Sequence, residues 1–233
     1  MTIVEARPTA AAVFQGSQRT AAAFFLVLGP LFMFLLYIPS AIAQAAAPGQ
    51  GDAAVAVASP TWTAVAWIVG APIVPAMIIW SIVVLLMTRP WARIAAWIGC
   101  VAMFIQASAL ATVGGMELLR DVLVQNGMDT ATVQQSMDSG ITANPAGVVL
   151  AIMFFPTEII GLIAIGIAFW RTKWVPRWIA VLFIVFPFID FAVNSTKWAS
   201  VAAFAVFLAA SVVLALRVLR DGAPRPAVPE HTV

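Results

Sequence analysis

Apolar residues fall into six long runs, at roughly 20–43, 61–87, 91–113, 145–170, 176–194 and 198–217. About 20 mainly apolar residues are needed to cross the hydrocarbon of a bilayer, and each run is near or above that length. None keeps the strict alternation of a half-buried strand, and an open sheet leaves its edge groups unsatisfied in lipid. Each run is therefore predicted to be a helix. Ser59-Pro60, Asn144-Pro145 and Val175-Pro176 place proline at or near a first turn, where its missing N–H costs little. The pattern predicts an all-α, polytopic membrane bundle of six transmembrane helices, occupying 20–217.

The polar intervals complete the plan. Residues 1–19 read as one tail and the Pro-rich 218–233 as a second, disordered one. Residues 44–60, rich in small residues with Gly and Pro, read as a flexible loop. Residues 114–144 are patterned. Met116, Leu119, Val122 and Leu123 recur at helical spacing opposite Glu117, Arg120 and Asp121. A short amphipathic helix lying on the outer face is expected there. Asn126-Gly127 is its expected C-cap and Asp129 the N-cap of a following helix.

Composition agrees with a membrane solvent: 63% of the 233 residues are hydrophobic and 9% charged, against about 25% charged in soluble domains. Ten of the twelve Lys and Arg residues lie in the two tails and in the connections after the second and fourth runs. The opposite side has Arg120 and Lys197 alone. The positive-inside rule then makes both N and C termini cytoplasmic. The basic residues sit at helix ends, so no nucleic-acid partner is expected. Ten Arg against two Lys, with abundant Ala and Val, points to a bacterial inner membrane. The first run ends in Ala41-Ile42-Ala43, as a cleavable signal does, but its apolar stretch is longer than the usual ~7–15 residues. Retention of that helix is expected.

One residue breaks the pattern. Glu158 lies 13 residues from both Pro145 and Arg171, which is roughly 20 Å from either helix end and so at the bilayer midplane. An acid there costs on the order of 3 kcal/mol on insertion scales. Gly161, Ala164 and Ala168 share its side of the helix, the small surface that close helix contact needs. Glu158 is therefore expected to point into the bundle. No Lys or Arg lies at its depth, so the carboxyl is expected to be protonated and to donate a hydrogen bond, with Gln106, also at mid-depth, as the candidate acceptor. Pro30, Pro72, Pro75, Pro156 and Pro187 fall near the centres of four helices and are expected to kink them at that level. Asp190, in the outer third, is either an interfacial partner of Lys197 or an outer station toward Glu158. Transporters tend to place their sites at such interrupted midplanes.

Several chemistries drop out. The single histidine, His231, leaves no bis-His haem and argues against a multi-His metal centre, and no metal or cofactor is expected. No GxxxxGK[ST] string occurs. Gly49-Gln50-Gly51-Asp52 matches an intramembrane protease string but lies in a loop, and Asn194-Ser195-Thr196 is a sequon against the membrane. The lone cysteine, Cys100, permits no intrachain disulfide. Trp62, Trp91, Trp170, Trp174, Trp178 and Trp198 read as an interfacial aromatic belt.

The hairpins "TRPWARIAAWIGC" and "TKWVPRWIAVLF", with the proline-interrupted "FFLVLGPLFMFLLYIP", resemble small uncharacterised six-helix membrane proteins of actinobacteria. The resemblance implies a fold and no activity. From the residues, proton-linked binding or transport of a small molecule around Glu158, Gln106 and Asp190 is expected. A structural or partner-binding membrane protein, in a homo-oligomer or with another membrane chain, is the alternative. A second is an isoprenoid (terpene) cyclase, with Glu158 as the acid and Phe154, Phe155 and Trp67 stabilising a cation. Membrane lipid is the one partner common to all three.

Overall fold

The computed structural model describes residues 14–88, 92–193 and 196–221. The terminal segments 1–13 and 222–233, including most of both predicted tails, lie outside the described residues, as do 89–91 and Asn194-Ser195. All the regular structure described is helical: α1 (Ser17–Ala46), α2 (Asp52–Ala58), α3 (Pro60–Gly70), α4 (Ile73–Met87), α5 (Arg93–Gln125), α6 (Thr130–Ala143), α7 (Pro145–Thr172), α8 (Arg177–Val193) and α9 (Lys197–Asp221). Among the described residues, five helical stretches are long and apolar enough to cross a membrane: α1, α3 with α4, α5, α7 and α9. The stretch predicted as a fifth span forms α8, of 17 residues, about 25 Å at 1.5 Å per residue and the shortest of the set.

Six helices close into a ring. Around it α1 packs on α4, α4 on α5, α5 on α7, α7 on α8, α8 on α9, and α9 back on α1. Small residues allow the closest approaches. A Cβ on Gly99 of α5 would lie 2.6 Å from Cγ1 of Ile165 and 3.0 Å from the Gly161 carbonyl of α7. A Cβ on Gly166 would lie 2.8 Å from the Ala180 carbonyl of α8. Glycine is thus the residue that fits where α7 meets each neighbour. Connections between ring helices reverse the chain direction, so one end of the bundle gathers Arg19, Arg93, Arg171, Lys173, Arg177 and Arg217. At this basic end α7 stops on Lys173, in the left-handed region at φ 58°, and Arg217 donates to the Trp174 carbonyl at 2.9 Å.

Three expectations are corrected at the opposite end. The flexible loop 44–60 contains α2, whose Ala53 and Ala56 are buried against α5 and α6 with Val124 and Val133. The third run does not stop at 113. Gly114-Gly115 passes without a break, and α5 continues to Gln125 before Asn126 and Gly127 (φ 90°) end it. The separate helix of this segment is α6, capped by Asp129, whose carboxyl accepts from Thr132 N at 2.8 Å and Thr132 Oγ1 at 2.7 Å. The amphipathic reading of 116–123 holds for exposed Glu117 and half-buried Met116 and Leu123 but is reversed at Leu119, Val122 and Asp121. Leu119 is 55% exposed while Asp121 is 3% exposed. In lipid the apolar side can face outward, and the polar groups are the ones that need partners inside.

The prolines divide into two kinds. Pro30, Pro156 and Pro187 lie inside α1, α7 and α8, as does Pro39, which the sequence reading passed over. Pro72 instead separates α3 from α4, and Pro75 falls in the first turn of α4, where no helical N–H bond is lost. The second span is therefore two helices in series and not one kinked helix.

Candidate functional site

Glu158 faces the centre of the ring. It is 6% exposed, placed by the side of α7 that also carries buried Gly161, Leu162 and Ile165. Gln106 Nε2 of α5 donates to Glu158 Oε2 at 3.2 Å. The sequence expectation had the carboxyl as donor. In this arrangement it accepts, and its second oxygen takes no hydrogen bond from any described residue. The two helices are thus joined at mid-depth by the only polar pair there among the described residues.

A cavity lies beside this pair, lined from all six ring helices. Met33 comes from α1, Met77 from α4, Met103 and Gln106 from α5, Glu158 and Leu162 from α7, Phe186 from α8, and Phe204 and Phe207 from α9. Its volume open to water centres is about 20 Å³, enough for a single water and far below the ~300 Å³ of drug-sized ligand sites. The ring is closed around its polar centre in this conformation. Three of the four internal prolines lie within one turn of a lining residue, Pro30 near Met33, Pro156 near Glu158 and Pro187 next to Phe186, whereas Pro39 lies farther along α1. Each of the three removes a backbone hydrogen bond where the wall would have to move.

The two sides of the cavity differ. Toward the basic end an aromatic cluster fills the bundle. Trp80 stacks on Phe183 at 5.7 Å, Phe183 meets Phe169 at 5.3 Å, and Phe207 touches Phe183 at 5.1 Å. Toward the opposite end polar groups continue. Tyr37 stacks on Phe204 at 4.8 Å and is within electrostatic range of Glu158, Asp190 and Glu117.

Asp190 neither touches Glu158 nor lines the cavity. Its Oδ1 is buried without a hydrogen-bond partner, and no ion pair joins it to Lys197 among the described residues. It does lie within electrostatic range of both Glu158 and Lys197. The aromatic residues expected to serve a cyclase are elsewhere. Phe155 packs on Phe154 and Phe191, and Trp67 donates to Asp121 Oδ2 at 2.8 Å. The rings at the carboxyl are Phe186, Phe204 and Phe207, which the sequence reading did not single out. Helical spacing could have found part of the wall, because Met103 is one turn before Gln106 and Leu162 one turn after Glu158. Phe186, Phe204 and Phe207 come from other helices, so no local pattern marks them.

The opposite end carries a polar network that was also missed. Arg120 pairs with Asp121 at 2.8 Å and with Asp52 of α2 at 3.6 Å, while Trp67 of α3 bonds the other Asp121 oxygen. Both Asp121 oxygens are partnered, and the knot ties α2 and α3 to α5. A shallow groove of about 280 Å³ lies beside this bond, lined by α3 and α5 residues that include Thr63, Trp67, Asp121 and Gln125. No group of three or more His, Cys, Asp or Glu side chains that could hold a metal occurs among the described residues. Comparison with protein-family models, curated proteins and solved structures finds no match to this chain.

Proposed function

We propose that this chain is a six-span protein of a bacterial inner membrane, with its basic end cytoplasmic, that binds and moves a small molecule in step with a proton at Glu158. The spans are the five long stretches together with α8. One observation carries the reading: a carboxyl without a cation beside it lies at the centre of a closed ring, in a cavity lined from all six helices. Burying an acid at mid-depth costs several kcal/mol on any scale, and a purely architectural link could be made from neutral side chains. The aromatic cluster toward the basic end and the polar groups toward the other support a closed state whose next opening is outward.

The test is a protein reconstituted in liposomes under a pH gradient. Adding a bacterial small-molecule extract should move protons, read by a dye inside, and Glu158→Gln should abolish that movement while eluting as wild type from a sizing column. Wild-type proton movement in Glu158→Gln would remove the proposal.

A second reading has its own observation. The cavity admits one water, and Gln106 with Glu158 cross-links α5 to α7, which suits a structural or partner-binding protein. It predicts that Glu158→Gln is silent and Glu158→Leu destabilising.

A further inference from the structure

The lining of the central cavity has a chemistry of its own. Its charge is a carboxyl, and no Lys or Arg contributes to the wall. Besides Gln106 and the aliphatic Ala107, Leu110 and Leu162, the wall is three aromatic rings, Phe186, Phe204 and Phe207, and three thioethers, Met33, Met77 and Met103. One Glu158 oxygen is spoken for by Gln106, and the other takes no hydrogen bond from any described residue, in a residue that is 6% exposed and borders the space. An anion would meet a carboxyl there with no counter-charge. A dehydrated metal ion would find the two Glu158 oxygens and one from Gln106, short of the six or more that a hard cation takes. A cation that carries its own apolar groups is the species for which each part of the wall has a use. Ring faces attract a positive charge, flexible thioethers adapt to an irregular apolar outline, and the carboxylate supplies the counter-charge.

We infer, building on the function proposed above, that the site around Glu158 takes an organic ammonium ion bearing apolar substituents. The cation and a proton exchange at the carboxyl: as the ammonium enters, the proton leaves Glu158 for water, and the net charge of the buried site is unchanged. Room is made by the methionines. Met77 and Met103 now lie in glycine notches, where a Cβ on Gly29 would come within 2.9 Å of the Met77 sulfur and one on Gly161 within 2.8 Å of the Met103 sulfur. Both are unbranched ends that can turn. Other titratable groups in range of the site are Asp190 on α8, Tyr37 on α1 and, beyond them, Glu117 on α5 and Lys197 on α9. α4 presents Met77 there.

The probe is benzyltrimethylammonium, paired with neopentylbenzene, the same shape with carbon in place of charged nitrogen. Binding to the full chain in lipid nanodiscs is measured by equilibrium dialysis against empty discs. The ammonium should bind, with the neutral isostere at least about tenfold weaker. Glu158→Gln should weaken the ammonium by about tenfold or more and leave the isostere unchanged. One proton exchanged per cation predicts an affinity that falls about tenfold per pH unit in the acidic limb. Asp190→Asn should keep that pH slope, and Phe207→Leu should reduce ammonium binding without altering it. Equal binding of both probes, an unchanged Glu158→Gln, or no ammonium binding would each overturn the inference. If the ammonium fails while Glu158→Gln still abolishes extract-driven proton movement, the substrate class falls and the function stands.

Discussion

At the scale of single residues, burial and pairing decide what a charge is worth. Arg120 holds two carboxylates that differ in almost every respect. Asp121 is 3% exposed and touches Arg120 at 2.8 Å, whereas the Asp52 side chain is half exposed at 3.6 Å. Removing the cation from a buried partner leaves an uncompensated charge, a loss of about 3–5 kcal/mol, while an exposed pair contributes about 0–1 kcal/mol. Arg120→Ala should therefore lower the melting temperature in detergent by many degrees, and Asp52→Asn should barely move it. Equal shifts in the two variants would show that the knot is solvated. The same logic makes Glu158 conspicuous, because its partner is a neutral amide and not a cation.

Between helices, the contacts on α7 separate two kinds of glycine. Alanine at 166 would drive its methyl to 2.8 Å from the Ala180 carbonyl and 3.1 Å from Ile184 N. Backbone cannot yield without parting α7 from α8, so Gly166→Ala should cost about 1–3 kcal/mol, seen as a lower melting temperature. Alanine at 161 meets the side chain of Met103 instead, and Gly161→Ala should cost less than about 1 kcal/mol. The reverse order in the same melt would contradict the packing described. Outside the spans, α6 depends on its cap. The hydrogen bonds from Thr132 hold the Asp129 carboxyl below its ordinary range. A depressed folded value means that the capping contribution is complete above the usual carboxylate range and is lost as pH falls through the folded value. Amide exchange in the first turn of α6 should accordingly quicken in acid, and Asp129→Ala should show the fast rate at every pH.

For the whole molecule the leading question is sidedness. Arg171, Lys173 and Arg177 cluster at one end, and α6 with Asp129 and Ser136 at the other. In a Cys100→Ala background, a membrane-impermeant maleimide added to right-side-out vesicles should label Ser136→Cys and spare Lys173→Cys. The opposite labelling would invert the orientation. Labelling of both would remove α7 from the spans, since that helix lies between Ser136 and Lys173.

The amino-acid sequence by itself determined that helices would form, where most long ones begin and end, and that Glu158 and Gln106 lie at one depth, because helix length, proline position and apolar period are local quantities. α7 at Pro145–Thr172 and α9 at Lys197–Asp221 sit within a few residues of their predicted runs. The break at Pro72, the persistence of α5 through Gly114-Gly115 and the inward turn of Asp121 were decided by packing, which a one-dimensional pattern does not contain. Tertiary structure alone set which helices are neighbours, and so which side chains from six separate segments meet at the carboxyl. Apolar residues look alike along the chain whether they face outward or into the core; the ring's closure assigns Phe204 and Phe207 to the cavity and leaves Val206 on the outer surface.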